Sequence, residues 1–229
     1  MYQPKVYITI SEPTAKRLLE AFDNTINLCG ELQDIIKYFI EREKEEYVII
    51  PFCVEEVYDP EDTYKFYINE DGNVSYSRVV EETNPYDCTD DITQFPDSML
   101  RAVLDIAKKY NREPSNDINE RISGLKAKYE AQIHEFESLF KIIIREQKNK
   151  YVDLDANLDF SDEPTTLRYT LNAKDEVVYF KLDEIELYEK EGKCKPLSDA
   201  YELCPLSALM GMMYTMECDF DKKIELPFL

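Results

Sequence analysis

Residues 115–150 read SNDINERISGLKAKYEAQIHEFESLFKIIIREQKNK, and apolar side chains recur in this stretch every seven residues. Two rows run along it, made of Ile122, Tyr129, Phe136 and Ile143 and of Ile118, Leu125 and Leu139. A heptad repeat of this kind predicts a single amphipathic helix. At about 1.5 Å per residue the helix is roughly 50 Å long, so it must pack against other elements over much of its length.

The chain before this stretch is predicted to pass from a strand into two helices. Lys5–Ile10 alternates and is rich in β-branched residues, and Ser11 followed by Pro13 marks a helix start. Gly30 is interpreted as the left-handed end of that first helix. Glu31–Glu46 then forms the second.

Two β-hairpins are predicted, one on each side of the long helix. The first joins 63–69 to 73–81 through the turn Glu70-Asp71-Gly72, and an apolar strand within 47–58 precedes it. The second joins 166–172 to 176–182. Residues 183–191 are interpreted as an extension of its sheet.

The remaining segments are predicted to be helical. One helix covers 96–110, and Pro205 divides a final helical region into two, the second rich in methionine. Methionines at such positions are typical of core filler and also of adaptable partner surfaces. Together these patterns predict an α+β fold: two small antiparallel hairpin or sheet elements packed with helices around one long central helix. The predicted division is 1–114, 115–150 and 151–229, which also fits one compact domain.

The chain is strongly acidic. Its 229 residues hold 48 acidic and 27 basic residues, which gives a net charge of −21. Nucleic acid and anionic membrane would be repelled by this charge, so neither is expected as a direct ligand. A basic protein is the favoured partner.

The negative charge is concentrated in the two strand-rich flanks. Residues 55–97 hold 13 acids and 2 bases, net −11, and residues 153–191 hold 12 acids and 4 bases, net −8. The long helix, 115–150, holds 6 acids and 7 bases, net +1. Clustering of this kind indicates binding surfaces rather than solubility alone.

One predicted strand provides a surface of this kind. Between residues 152 and 160 apolar side chains alternate with polar ones, so its aspartates form a row on one face about 6.6 Å apart. A row of fixed carboxylates imitates a nucleic-acid backbone, although charges on an edge strand also prevent edge-to-edge association. The predicted partner-binding residues of the two flanks are Asp153, Asp155, Asp159, Asp162, Glu163, Glu184, Glu186, Glu70, Asp71, Asp87, Asp90 and Asp91.

Catalytic and metal-binding patterns are weak. Asp153, Asp155, Asn157 and Asp159 match the first ligands of a calcium-binding loop, but the sixth position is Leu158 and the twelfth is Pro164. The only histidine, His134, lies off the apolar rows, and no glycine motif for phosphate is present. Asp175 or Asp183 with Glu191 and Lys193 supplies an acid and lysine fragment of a magnesium-dependent nuclease. We expect no catalytic residues, metal or cofactor.

The six cysteines form no C-x-x-C pair, and no signal segment opens the chain. We interpret them as reduced thiols in a cytoplasmic protein, with disulfides as the alternative. No apolar run approaches the roughly 20 residues that cross a bilayer.

These observations favour a non-enzymatic acidic binding protein that occupies the positively charged site of a nucleic-acid-handling protein, as anti-CRISPR and anti-restriction proteins of phages do. The alternatives are an immunity protein against a basic toxin, a coiled-coil scaffold and a metal-dependent nuclease-like enzyme. The scaffold alternative includes a homodimer through 115–150.

Overall fold

The computed structural model has an α+β fold with two small antiparallel sheets, as the sequence predicts. It describes residues 8–43, 47–51, 63–79, 96–111, 116–156, 165–216 and 218–219. The helices are α1 (Glu12–Glu43), α2 (Pro96–Tyr110), α3 (Asn116–Glu146), α4 (Ile185–Glu191) and α5 (Pro205–Thr215). The strands are β1 (Ile8–Thr9), β2 (Tyr47–Pro51), β3 (Thr63–Ile68), β4 (Val74–Val79), β5 (Tyr151–Ala156), β6 (Thr165–Leu171), β7 (Val177–Lys181), β8 (Lys195–Pro196) and β9 (Cys218–Asp219).

The break predicted at Gly30 is wrong, because α1 is one helix of 32 residues. A glycine in a helix costs only about 1 kcal/mol relative to alanine. The apolar face continues on both sides of it, with Leu28, Leu32 and Ile36 all buried. Burial of that face outweighs the local preference of one glycine.

The predicted long helix is confirmed as α3, which has 31 residues. Six of its seven heptad side chains are buried within the chain, namely Ile118, Ile122, Leu125, Phe136, Leu139 and Ile143. The seventh, Tyr129, is partly exposed, and its hydroxyl donates a hydrogen bond to Asp97. The heptad rows therefore serve intramolecular packing.

The first predicted hairpin is confirmed in a three-stranded sheet of order β2-β3-β4. Its turn is closed by Asn69, whose Oδ1 accepts hydrogen bonds from the backbone N–H groups of Asp71 and Asn73 at 3.1 and 2.9 Å. Gly72 follows with φ of 79°, a conformation that glycine adopts without steric cost. The turn is thus fixed by its own side chains.

The second predicted hairpin is confirmed in a four-stranded sheet of order β5-β6-β7-β8, all antiparallel. Residues 183–191 do not extend this sheet. They form a turn of 3₁₀ helix at Leu182–Glu184 followed by α4, because only Tyr188 and Ile185 are partly covered and no alternating apolar face is present. The methionines of α5 that are buried, Met210 and Met213, serve as core residues.

The start of α1 is held by the end of α3. Glu146 Oε1 accepts hydrogen bonds from Ser11 Oγ and Thr14 Oγ1, both at 2.7 Å, and its Oε2 accepts one from the Ser11 N–H at 2.9 Å. Partial burial opposes the charged carboxylate, but the hydrogen bonds outweigh it and lower the pKa of Glu146. The predicted helix start at Ser11 is confirmed, because Ser11 Oγ accepts a hydrogen bond from the Thr14 N–H at 3.4 Å. Glu146 in turn holds Ser11 in place from the end of α3.

Contacts divide the chain into two compact units. One comprises Met1–Asp23 and Gln132–Leu229, and the other comprises Asn24–Ala131. In the first, the Phe22 and Phe136 rings meet edge to face at 5.3 Å. In the second, Phe66 of β3 is fully buried. The division of the chain at 114 and 150 stays a prediction.

Candidate functional site

The predicted row of aspartates lies on the outer face of the four-stranded sheet. Val152 and Leu154 of β5 are buried, whereas Asp153 is partly exposed and Asp155 is exposed. The register places Asp153 opposite Arg168 and Asp155 opposite Thr166 of β6. The alternation predicted from the sequence is therefore present over the described part of the strand.

Asp153 is not a free carboxylate. Arg168 binds it with two parallel hydrogen bonds, Nε to Oδ1 at 2.7 Å and Nη2 to Oδ2 at 2.8 Å. Arg168 Cζ also lies 3.6 Å from the centre of the Tyr151 ring. The hydrogen bonds to Asp153 raise the pKa of Arg168, since they favour the charged guanidinium. Because Arg168 balances its charge, Asp153 offers a binding partner little net charge.

Asp155 has a different environment. It accepts one hydrogen bond from Thr166 Oγ1 at 2.8 Å, and no cation among the described residues forms an ion pair with it. Six predicted partner-binding residues lie outside the described residues: Asp159, Asp162, Glu163, Asp87, Asp90 and Asp91.

Glu184 and Glu186 lie at the start of α4, which packs on the outer face of the same sheet. The Tyr188 ring stacks on Phe180 of β7, with ring centroids 4.1 Å apart and planes 8° apart. This contact packs α4 against β7. Glu184, Glu186 and Glu189 remain exposed to solvent. Glu186 pairs with Lys190, Nζ to Oε2, at 3.4 Å. Glu184 and Glu189 have no cationic partner within the described ranges.

Leu187 points into solvent beside these carboxylates. Its side chain is 42% exposed, which makes it one of only four large apolar residues with such exposure in the described part of the chain. Asp183 and Glu191 are its neighbours four residues away on the helix surface. We call Asp183, Glu184, Glu186, Leu187, Glu189 and Glu191 the α4 face.

Glu70 and Asp71 are exposed at the tip of the β3–β4 turn. Lys37 of α1 stabilises this turn, because its Nζ donates a hydrogen bond to the Gly72 carbonyl oxygen at 3.2 Å. These two carboxylates belong to the unit of residues 24–131, and the α4 face belongs to the other.

Of the candidate catalytic acids, two form ion pairs and Asp183 is exposed. Asp175 pairs with Arg145, and Glu191 pairs with Lys193 at 2.6 Å. His134, which lies off the apolar rows of α3, is 81% exposed, with Nδ1 3.6 Å from Glu137 Oε2. Among the described residues, no three His, Cys, Asp or Glu side chains converge as metal ligands would.

Sequence reasoning missed Arg168 as the partner of Asp153. Arg168 is the only cation on β6, so an explicit pairing of 151–156 with 165–171 would have found it. Reasoning about net charge also missed a local basic cluster at the end of α3. Its signal was the run of four cations in residues 141–150.

Of the helices in the described part of the chain, none is long and apolar enough to span a bilayer. Comparison of the chain with family models, with curated proteins and with solved structures gave no match.

Proposed function

We propose that this chain is a non-enzymatic binding protein that occupies the positively charged site of a nucleic-acid-handling protein. In this proposal its carboxylates take the place of phosphates, as in anti-CRISPR and anti-restriction inhibitors. The proposal includes a cytoplasmic location. Cys29 and Cys194 are free thiols, which is compatible with that location.

The α4 face is the observation that carries the proposal. It presents five carboxylates within nine residues, and only Glu186 and Glu191 have a lysine partner among the described residues. The helix is held by the Tyr188–Phe180 stack, so its charges are positioned before a partner arrives. Preorganised charge favours fast and selective association with a basic surface.

Leu187 adds an apolar anchor to this face. Single exposed leucines are common on protein surfaces, so Leu187 adds contact area to this face and does not by itself identify an interface. On the outer face of the same sheet, Asp155 has no cationic partner among the described residues, whereas Asp153 is paired with Arg168.

The coiled-coil scaffold remains a separate prediction. A homodimer through 115–150 would have to use side chains other than the heptad rows, since six of those seven are buried within the chain. Light scattering distinguishes the coiled-coil homodimer from a monomeric binding protein. If the protein is a monomer at working concentration, the scaffold prediction is wrong.

The test uses capture, identification and affinity measurement. Wild-type protein captures partners from lysate of the host cell, and the most abundant specific partner is purified. Its affinity is then measured by titration calorimetry against wild type and against the variant E184Q/E186Q/E189Q. We expect at least about a tenfold loss for the variant and a steep loss for wild type between about 50 and about 200 mM salt.

The matched control is E20Q/D23N/E202Q, which removes three exposed charges of the same unit away from α4. It should bind within about twofold of wild type, because screening limits distant charges. Equal affinity for wild type and the α4 variant, or equal losses in both variants, would refute the proposal.

A further inference from the structure

Of the five α-helices that the structure describes, α4 alone contains no buried residue. Its Ile185 and Tyr188 side chains are partly covered, and its other five residues are exposed. A helix of seven residues does not form by itself in water, since isolated helices need about 12–15 residues even with favourable sequences. Contacts outside the helix must therefore keep α4 folded.

The charges of α4 oppose its folding. Glu189 and Glu191 lie in the last turn, where the helix dipole disfavours negative charge. Glu186 and Glu189 are three residues apart and therefore neighbours on the helix surface, where like charges destabilise a helix. The opposing attraction between Glu186 and Lys190 contributes little, because both side chains are exposed to solvent. Charge therefore weakens this helix.

Tyr188 makes the two contacts that hold α4 in place. Its ring stacks on Phe180 with centroids 4.1 Å apart and planes 8° apart, and such a pair adds to the burial of the two rings. Its carbonyl oxygen accepts a hydrogen bond from the Gly192 N–H at 2.8 Å. Gly192 ends the helix in the left-handed conformation, with φ of 62°.

Phe180 belongs to a more firmly held element. Strand β7 pairs with β6 on one side and with β8 on the other, and Val177–Phe180 are all buried. Paired strands with buried side chains open only at high free energy, whereas exposed elements with few buried contacts open locally. The helix and the sheet beneath it therefore differ in local stability.

We propose that α4 opens and closes on the sheet as a separate element, and that the Tyr188 ring is the contact that keeps it closed. Opening disperses the carboxylates of the α4 face, so the closed fraction of molecules sets the apparent affinity for a basic partner. A partner that neutralises these carboxylates favours the closed form in turn. This consequence rests on the proposed function, whereas the opening itself is a property of the free protein.

The test is backbone amide hydrogen exchange, measured by NMR on the full chain without a partner. Protection is calculated relative to an unstructured peptide of the same sequence. We expect protection in α4 to be at least about tenfold lower than in β6. Y188A should lower it at least about fivefold further and leave β6 within about twofold of wild type. Y188F keeps the ring and should match wild type.

The matched control is Y151A, which removes a partly exposed ring from the outer face of the same sheet. It should leave the protection of α4 within about twofold of wild type. E189Q should have the opposite effect to Y188A and raise the protection of α4, because it removes a charge that the dipole and Glu186 both disfavour.

Four results would overturn the proposal: equal protection of α4 and β6 in wild type, parallel losses in both elements in Y188A, equal losses in α4 in Y151A and Y188A, or lower protection of α4 in E189Q. Because exchange is measured on the free protein, a failure to bind any basic protein would refute the proposed function alone.

Discussion

The ion pair between Asp153 and Arg168 should be one of the strongest polar interactions in its unit. The two side chains are only 13% and 18% exposed and share two parallel hydrogen bonds. Removing one partner of such a pair leaves the other partly buried and unsatisfied. Surface pairs contribute up to about 1 kcal/mol, and breaking a fully buried pair costs about 3–5 kcal/mol. For this intermediate burial we expect D153N to lose about 2 kcal/mol of unfolding free energy.

A double-mutant cycle isolates the interaction. R168M keeps the aliphatic part of the side chain and should also cost about 2 kcal/mol, since Asp153 is then left without its cation. The double variant D153N/R168M should be less destabilised than the sum of the two, by about 1.5 kcal/mol. Hydrogen exchange of the β5 and β6 backbone amides is the assay, because it reports the opening of the unit that holds the pair.

The matched control is D155N, on the same strand and the same face. Asp155 is exposed and accepts a single hydrogen bond from Thr166, so its loss should cost less than about 0.5 kcal/mol. A coupling energy below about 0.5 kcal/mol between Asp153 and Arg168 would refute the reasoning. So would equal effects of D153N and D155N.

Three further predictions concern stability and reactivity. E146Q should lose about 1 kcal/mol at about pH 7, the upper end of what an anion near a helix N-terminus contributes. Because the folded pKa of Glu146 is lowered, this stabilisation is present above the unfolded value and is lost as the pH falls through the folded value, so the difference from wild type in urea denaturation should shrink toward about pH 3. G30A should raise the unfolding free energy by about 0.5–1 kcal/mol, since nothing lies within 4 Å of the added carbon, whereas G72A at φ of 79° should lower the melting temperature. Burial raises the pKa of Cys29 to about 12, so iodoacetamide at about pH 8 should alkylate the exposed Cys194 first, as peptide mass spectrometry would record; equal rates would contradict this.

The hairpins and the long helix α3 could be predicted because their signals are local. A heptad repeat, or two β-branched runs joined by a short polar turn, specifies structure within a few residues. The break at Gly30 was predicted wrongly for the same reason: a local preference of about 1 kcal/mol was weighed without the buried face that continues past it.

The candidate site depended on longer-range information. The pairing of Asp153 with Arg168 requires the register between two strands whose residues are 15 apart. The α4 face requires knowing that Tyr188 packs on Phe180, so that 185–191 becomes a helix instead of a strand. Composition alone revealed the excess of acids and not which of them remain unpaired.

The two hairpin turns use the same design. In each, an Asn side chain accepts two backbone N–H groups, those of Asp71 and Asn73 in the first and of Lys174 and Glu176 in the second, and the fourth residue has positive φ. Their exposed tips carry opposite charge, Glu-Asp in one and Ala-Lys in the other. The same turn conformation thus carries acidic residues at one tip and a basic residue at the other. Substitutions at these exposed tip positions can therefore change the local surface charge during evolution without changing the fold of the turn.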